Sequence, residues 1–254
     1  MTSSIKSTCG QKLECSVPLA SARLDGTCAL VTGGATGIGL GLVQALAGLG
    51  ARVVIADINV AGAQVAAELC EKGLRCDMEG CQAGVVLLIL WPRVLHYYTD
   101  VTDYQSQLDA FKAARAYSET GNVDVVIPCA GVSEKSFRET LKAASADDQD
   151  LDNPPLPTTA VFDVNLKGVY YTTYLAYHFF RVDSQSKTPS LITDKHIVFI
   201  SSLAGYRPLQ LNPGYNGAKY GVRGIWHVRR SNPTSTDVVR LIKLRHSAIK
   251  ARQS

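Results

Sequence analysis

Apolar and polar positions alternate along the chain in two rhythms between residue 26 and about residue 242. Short runs such as VVIAD, VDVVI and HIVFI are apolar at nearly every position, as expected of strands that a parallel sheet buries on both faces. The longer segments between them carry apolar residues at the spacing of a helix that packs on one face. Strands that alternate with helices indicate βαβ units, so we expect an α/β fold with a doubly wound parallel sheet in a single domain.

The same pattern sets the bounds of the predicted elements. Strands are predicted at Cys28–Thr32, Arg52–Asp57, Val94–Thr99, Val123–Pro128, His196–Ser201 and Val238–Ile242. Helices are predicted at Ile38–Leu49, Ala61–Lys72, Tyr104–Tyr117, Thr159–Phe180 and Pro213–Arg230.

Several stretches interrupt this rhythm and define the domain organisation. We expect a polar N-terminal extension at 1–25, a domain at 26–242 and a basic tail at 243–254, with insertions near 73–93 and 184–194. The first insertion contains the apolar run VVLLILW, which is either a genuine edge strand or exposed patch, or translated intron sequence. The acidic, proline-rich stretch SADDQDLDNPPLPTT is predicted to be a surface loop.

Composition narrows the class of protein. The 254 residues are 46% hydrophobic and 19% charged, which suits one globular domain. Seven cysteines without a C-x-x-C pair indicate neither a disulfide framework nor a zinc site, so no metal is expected. The first 25 residues lack a signal-like apolar core, and the run Val85–Trp91 is too short to span a bilayer. We therefore expect a cytoplasmic protein with no membrane partner.

The stretch VTGGATGIG joins the first predicted strand, which ends at Thr32, to the first predicted helix. It contains Gly33, Gly37 and Gly39. Glycine permits positive φ and close approach of the backbone to a pyrophosphate, and the helix that follows offers free N–H groups. Taken alone, the stretch predicts either a dinucleotide site or only a tight strand-to-helix turn.

An acidic residue at the end of the second strand strengthens the dinucleotide interpretation. Asp57 lies 18 residues after Gly39, close to the ~20 expected of a carboxylate that binds the adenosine ribose. A carboxylate there repels a 2′-phosphate, so NAD is favoured, with NADP as the alternative. Asp57 can also serve as a helix N-cap.

A second group of residues has the spacing of an acid–base site. The stretch NPGYNGAKYGV places Tyr215 and Lys219 one helical turn apart, on the same helix face. A phenol is a poor acid or base at neutral pH, but a nearby ammonium favours its phenolate. Chance gives roughly 0.5 such pairs in a chain of this composition, so the pair alone is not diagnostic. Ser202 stands thirteen residues before Tyr215, and Asn165 lies in an apolar helix.

Seven motifs now stand in order: TGxxxGIG, a strand-end Asp, DVTD, AG, VNLKG, ISS and YxxxK. This set resembles the short-chain dehydrogenase/reductase family over about residues 25 to 242, with a weaker similarity to its hydroxyprostaglandin-dehydrogenase-like branch and fungal relatives. The resemblance implies a Rossmann-like fold and an NAD(P)-dependent oxidoreductase acting on a secondary alcohol or ketone. It also implies a small, apolar substrate, a place in secondary metabolism, and assembly as a homodimer or homotetramer.

The resemblance also implies residue roles. Tyr215 would be the general acid/base, Lys219 would support it and hold the nicotinamide ribose, and Ser202 would bind the substrate oxygen. Asn165 would position a water that links the lysine to solvent. The cofactor would be bound by the glycine stretch and by residues at the ends of later strands, namely Thr32, Gly33, Gly37, Ile38, Gly39, Asp57, Asp100, Val101, Ala130, Gly131, Tyr215 and Lys219.

The chain departs from the family pattern in places that bear on activity. Cys129 occupies the position of the asparagine in the usual Asn-Ala-Gly motif, and we expect it to be buried filler rather than a reactive thiol. Only 35 residues follow Lys219, so the C-terminal strand and substrate lid of the family are expected to be missing. The alternative function is therefore a catalytically impaired or truncated relative that binds dinucleotide only.

The basic end of the chain raises a third class of function. Residues 220–254 carry eight Lys or Arg and one acidic residue, within a net charge of +4. No aromatic stacking pattern or recognised binding module accompanies them, so no nucleic-acid partner is expected.

Overall fold

The computed structural model describes residues 24–73, 93–139, 156–183, 195–208, 212–230 and 239–244. The strands are β1 (Cys28–Thr32), β2 (Arg52–Asp57), β3 (Val94–Tyr98), β4 (Val125–Pro128), β5 (Lys195–Ile200) and β6 (Val239–Leu244). The helices are α1 (Gly37–Gly48), α2 (Ala61–Gly73), α3 (Tyr104–Tyr117), α4 and α5 (Pro213–Arg230), where α4 consists of the consecutive pieces Ala160–Phe162, Asp163–Gly168 and Val169–Asp183. Most of the predicted N-terminal extension, both insertions and the basic tail lies outside the described residues.

The six strands form one parallel sheet in the order β3-β2-β1-β4-β5-β6. β1 occupies the middle, with Ala29 paired to Val53 of β2 on one side and to Val125 of β4 on the other. The chain builds outward from β1 to β3, returns to β4, and continues outward to β6. This order confirms the predicted doubly wound α/β fold.

Successive residues of the strands point into two separate cores, one on each face of the sheet. Leu30 of β1 and Phe199 of β5 pack with Phe111 of α3 and with residues of α4 and α5. Val31 of β1 packs on the opposite face, with Val43 of α1. Burying each large apolar side chain contributes about 1.5–3 kcal/mol, so burial on both faces explains why the strand sequences are apolar throughout.

The observed elements end within three residues of the predicted ends. β6 ends at Leu244, two residues beyond the predicted Ile242. The differences at β4 and α4 both involve the Asp183 carboxylate. Its Oδ2 accepts a hydrogen bond of 2.9 Å from the Val123 N–H, so β4 begins at Val125 rather than at the predicted Val123. The same buried contact holds the last turn of α4, which therefore extends to Asp183 rather than ending at Phe180.

The carboxyl ends of β1 and β4 lie side by side at the point where the strand order reverses. In a doubly wound sheet, a ligand crevice opens at this switch point. The glycine-rich stretch lies on one side of it, and the residues after β4, here termed the 129–134 segment, lie on the other. Among the described residues, no helix is long and apolar enough to cross a bilayer.

Candidate functional site

The glycine-rich stretch is folded so tightly that larger residues do not fit. Gly33 has φ of 67°, and a Cβ there would stand 2.6 Å from the Ala130 Cα. A Cβ on Gly39 would collide with the Gly33 carbonyl. The stretch therefore packs backbone against backbone, on itself and on the 129–134 segment, which requires glycine at both positions.

The first turn of α1 is open above this packed base. Gly37, at φ of 56°, begins the helix, and no atom outside its chain neighbours and the helix backbone lies within 4 Å of a Cβ built on it. The N-cap residue Thr36 makes no side-chain cap hydrogen bond, and the first turn contains no acidic residue. An uncapped N-terminus of a 12-residue helix presents free N–H groups and a partial positive charge. The cradle fits the diphosphate of a dinucleotide, with Ile38 in that first turn.

Asp57, at the end of β2, is tied to the glycine-rich stretch. Its Oδ2 accepts a 2.9 Å hydrogen bond from the Ala35 N–H, and its Oδ1 accepts one of 2.9 Å from the Asn59 N–H. The carboxylate is only partly buried, so each oxygen retains a lone pair for a further donor. Asp57 thus shapes the turn that would hold a diphosphate and stands where a ribose would follow.

Asp100 and Val101 follow β3 and lie beside the same crevice. The Asp100 Oδ1 accepts hydrogen bonds of 2.8 Å from both the N–H and the hydroxyl of Thr102. Val101 is 8% exposed, and its Cγ2 would stand 3.1 Å from a Cβ on Gly168. The turn after β3 is therefore packed directly against α4.

A buried glutamine, absent from the predicted site, fastens this turn to α4. The Gln107 Nε2 donates to the carbonyl oxygens of Val101 at 2.6 Å and Gly168 at 3.0 Å, and its Oε1 accepts from the Thr172 hydroxyl at 2.7 Å. Gln107 stands on the buried face of α3 with Phe111 and Ala114. A polar residue on an apolar helix face was the signal in the sequence.

The 129–134 segment is held by side chains from two other elements. The Thr32 hydroxyl oxygen accepts from the N–H groups of Cys129 at 3.1 Å and Ala130 at 3.3 Å. Asn165 accepts from the Val132 N–H and donates to the Val132 carbonyl oxygen, both at 2.8 Å. The predicted residues Thr32, Ala130 and Asn165 thus meet at one short segment.

Asn165 is fully buried and lies in the π-helical piece of α4. Its side-chain oxygen would stand 3.3 Å from a Cβ on Gly131, so a larger residue at 131 would press on the amide. Its amide is engaged by the backbone of Val132, and its role in positioning a water stays a prediction. Single π-helical turns within α-helices are frequent at functional sites.

Lys219 brings a buried amine to the carboxyl end of β5. The residue is 7% exposed, and its Nζ donates to the Ile200 carbonyl oxygen at 3.2 Å. The same Nζ lies 5.7 Å from the centroid of the Tyr215 ring. Burial lowers the pKa of Lys219 below its ordinary value, because the ammonium loses hydration there.

Ser202 follows the end of β5 and caps a short helical turn. Its Oγ accepts a 3.2 Å hydrogen bond from the Ala204 N–H, and the residue is only partly buried. Ser201 is 5% exposed, and its hydroxyl has no partner among the described residues. The two serines therefore differ in access, and Ser202 is the one open to a ligand.

Cys129 is half-buried, and its role as filler rather than as a reactive thiol stays a prediction. Burial raises the pKa of its thiol to about 11, although the neighbouring Lys219 ammonium acts in the opposite direction. A thiol with that pKa carries almost no thiolate at neutral pH, so it is a poor nucleophile. The segment it occupies is nonetheless anchored by Thr32 and Asn165.

A buried ion cluster lies on the opposite side of the sheet from the crevice, beside the amino ends of β4 and β5. The Lys195 Nζ is 2.7 Å from Asp124 Oδ1 and 3.5 Å from Asp183 Oδ2. Both carboxylates are fully buried, and the Asp124 Oδ2 also accepts from the Cys28 N–H at 2.8 Å. Burial raises the pKa of Asp183. This cluster joins strands and α4 and takes no part in the crevice.

The predicted residues thus lie beside the crevice, at the carboxyl ends of the strands, and they form two groups. One group surrounds the open turn of α1 and suits a dinucleotide. The other, formed by Ser202, Tyr215 and Lys219, offers a phenol, an amine and a hydroxyl for proton transfer. No set of three His, Cys, Asp or Glu side chains that could hold a metal ion occurs among the described residues.

Comparison with known sequences identifies a family. The sequence model of the family described as short chain dehydrogenase matches residues 27–85 and 90–247. The match covers the sheet and the glycine-rich stretch, together with Ser202, Tyr215 and Lys219.

Two curated fungal relatives show the extent of the similarity. The 5′-hydroxyaverantin dehydrogenase of Dothistroma septosporum is 35% identical over 214 residues, which are 83% of this chain and 63% of the relative. An NADP-dependent dehydrogenase of Cochliobolus lunatus is 32% identical over 215 residues, 84% of this chain and 67% of the relative. The chain thus spans roughly two thirds of the length of these relatives.

Two solved structures share the fold. A short chain dehydrogenase/reductase from Burkholderia phymatum, in complex with NAD, superimposes with a TM-score of 0.65 at 22% identity and covers 88% of this chain and 66% of that one. A short-chain dehydrogenase/reductase from Brucella melitensis gives a TM-score of 0.62 at 20% identity, covering 88% and 76%.

Proposed function

The chain belongs to the short-chain dehydrogenase/reductase family, and we propose that it is an NAD(P)-dependent oxidoreductase that interconverts a secondary alcohol and a ketone. One observation carries the proposal: the buried Lys219 amine lies 5.7 Å from the Tyr215 ring centroid, on the edge of the sheet where α1 presents its open first turn. A proton-transfer pair and a diphosphate cradle therefore border the same crevice.

The residues divide the chemistry of alcohol oxidation between them. A bound NAD(P)⁺ supplies the acceptor for the hydride that leaves the carbinol carbon. Tyr215, as phenolate, takes the hydroxyl proton while the C=O bond forms, and Ser202 donates a hydrogen bond to the substrate oxygen. The Lys219 Nζ lies 5.7 Å from the centroid of the Tyr215 ring, where a protonated amine would stabilise negative charge on the phenol oxygen during the transfer. Ketone reduction runs the same transfers in reverse.

The cofactor preference of the proposal is NAD. Asp57 is a half-buried carboxylate at the end of β2, and it would accept hydrogen bonds from the ribose hydroxyls and repel a 2′-phosphate. NADP is the alternative, because relatives such as the Cochliobolus lunatus protein are named NADP-dependent.

For the substrate, we infer a small, apolar secondary alcohol of secondary metabolism. Support comes from relatives in Dothistroma septosporum and Emericella nidulans that are named 5′-hydroxyaverantin dehydrogenases. 5′-Hydroxyaverantin is therefore a first test substrate, together with simple apolar secondary alcohols.

A Tyr215→Phe variant tests the role of the tyrosine. Turnover with NAD should fall at least about 100-fold, since general acid–base catalysis contributes 10²–10⁴-fold, while NADH still binds as in the wild type. NADH fluorescence measures both the turnover rate and the affinity for NADH. Unchanged turnover would remove Tyr215 from its role. A wild-type chain that binds NADH and turns over no substrate would support the alternative, a catalytically impaired relative.

We also propose that the chain associates with copies of itself and that it is located in the cytoplasm. Tyr170 and Tyr174 on α4 and Tyr220 on α5 are 55%, 56% and 42% exposed, and such aromatic surface favours a partner. A second copy is the partner we propose, as a homodimer or homotetramer. The free thiols at Cys28 and Cys129 are consistent with the reducing cytoplasm.

A further inference from the structure

A carboxylate from the 129–134 segment caps the helix that carries Tyr215. The Glu134 Oε1 accepts a 2.9 Å hydrogen bond from the Tyr215 N–H. The Glu134 carbonyl oxygen accepts a further 3.1 Å bond from the side chain of Asn212, immediately before α5. Two contacts from one residue therefore hold the first turn of α5, whose N–H groups have no partner within the helix.

The approach of this carboxylate depends on Gly214. A Cβ at 214 would collide with the Glu134 Oε2 and stand 2.8 Å from the Val161 Cγ1, so glycine lets both side chains pack closely on the helix. Glycine is a poor helix former, and its presence in the first turn of an 18-residue helix calls for a local reason. The reason here is the close packing of Glu134 and Val161 on the helix.

The 129–134 segment connects the glycine-rich stretch to this cap through hydrogen bonds along its length. At one end its backbone is fixed by the Thr32 hydroxyl, and in the middle it is fixed by the Asn165 amide. Glu134, at the other end, then fixes the Tyr215 backbone. A single short stretch thereby links the base of the glycine-rich turn to the residue proposed to move the proton.

We propose that Glu134 is a positioning residue for Tyr215, an inference that rests on the proposed oxidoreductase function. It acts through the backbone of Tyr215 and touches neither substrate nor cofactor in this role. Loss of the cap would let the first turn of α5 shift, and a displacement of about 1 Å at a reacting group can lower a rate about 100-fold. The effect belongs in kcat, because the dinucleotide cradle at α1 is left intact.

Three variants and one control test the inference on the full chain. Glu134→Ala removes the acceptor, whereas Glu134→Gln keeps an oxygen that can accept from the same N–H. Gly214→Ala leaves Glu134 in place and crowds its carboxylate, and it also presses on Val161, so Glu134→Ala is the more specific of the two variants. Glu139→Ala is the control, because that carboxylate accepts hydrogen bonds from Ser136 within its own turn.

There are three readouts: oxidation of the secondary alcohols 1-phenylethanol and cyclohexanol with NAD, NADH titration, and hydrogen exchange of a peptide spanning Tyr215. Glu134→Ala and Gly214→Ala should each lower kcat at least 10-fold, with the NADH Kd within about twofold, and should speed exchange at the first turn of α5. Glu134→Gln should restore at least half of the wild-type kcat, and Glu139→Ala should match the wild type.

Each other result has a definite meaning. A Glu134→Ala variant with wild-type kcat and exchange would overturn the inference, as would a Glu134→Gln variant as impaired as the alanine. A wild-type chain that oxidises no probe contradicts the proposed function instead, and hydrogen exchange at Tyr215 then still reports whether Glu134 holds the turn.

Discussion

Replacement of Asp57 separates two effects that its carboxylate combines. One oxygen accepts from the Ala35 N–H of the glycine-rich stretch and the other from the Asn59 N–H, both at 2.9 Å. Asp57→Asn removes the charge and retains one acceptor oxygen, whereas Asp57→Ala removes the charge and both acceptors. The two variants should therefore share a change in cofactor preference and differ in their effect on the glycine-rich stretch.

The size of the expected change in cofactor preference follows from the position of the Asp57 carboxylate beside the crevice. A 2′-phosphate in the position of the ribose hydroxyl would place like charges roughly 4 Å apart, where one pair costs about 1 kcal/mol in water and about 4 kcal/mol near a protein surface. Asp57 is partly exposed, so the lower part of that range applies. A change of about 1.4 kcal/mol is tenfold in Kd. Loss of a charged hydrogen bond costs roughly 1.5–3 kcal/mol, again at the lower end.

Fluorescence titration with NADH and NADPH measures the prediction. In both variants the ratio of the NADPH Kd to the NADH Kd should fall at least about tenfold. NADH affinity and melting temperature should decrease further in the alanine variant, because Ala35 loses its acceptor. Glu68→Gln, which removes an exposed carboxylate from α2, should change neither. Parallel changes in both dissociation constants, with an unmoved ratio, would refute the charge argument.

Two further predictions concern stability and assembly. Lys195→Met removes the ammonium that lies 2.7 Å from the buried Asp124 carboxylate, while Asp183 keeps the Arg115 guanidinium at 3.6 Å. We expect it to lower the free energy of unfolding by about 3 kcal/mol, whereas Lys112→Met, in an exposed pair, should leave the urea midpoint unchanged. Equal midpoints for the two variants would argue against the cluster. If the exposed tyrosines of α4 meet a second copy, Tyr174→Asp should reduce the mass measured by light scattering to that of one chain, and a wild-type chain that is already monomeric would contradict the proposed assembly.

The fold could be predicted from the sequence because burial on both faces leaves a strong local pattern. β1 and β2 are apolar at nearly every position, and their predicted bounds agree with the observed ones. The amino end of β4 was misplaced by two residues because its limit is set by a contact 60 residues away, from Asp183 to the Val123 N–H. Local periodicity contains no information about such a contact.

The candidate site was predictable to the extent that residue type and spacing identify it. Gly33 and Gly39 stand where only glycine fits, and a glycine at such a position is visible in any sequence. The cap from Glu134 to the Tyr215 N–H joins residues 81 apart, and an acidic residue in a polar loop has no distinguishing spacing. Gln107 was detectable as a polar residue on an apolar helix face, although its three partners were not.

The anchoring of the 129–134 segment also determines where this protein can be redesigned. Thr32, Asn165 and Glu134 each make two hydrogen bonds that begin or end on these six residues. In a library that varies this segment, most variants would lose some of these hydrogen bonds. Libraries aimed at new substrates should instead keep the segment constant and vary exposed positions next to the proposed catalytic residues. Leu203, which directly follows Ser202 and is 48% exposed, is such a position.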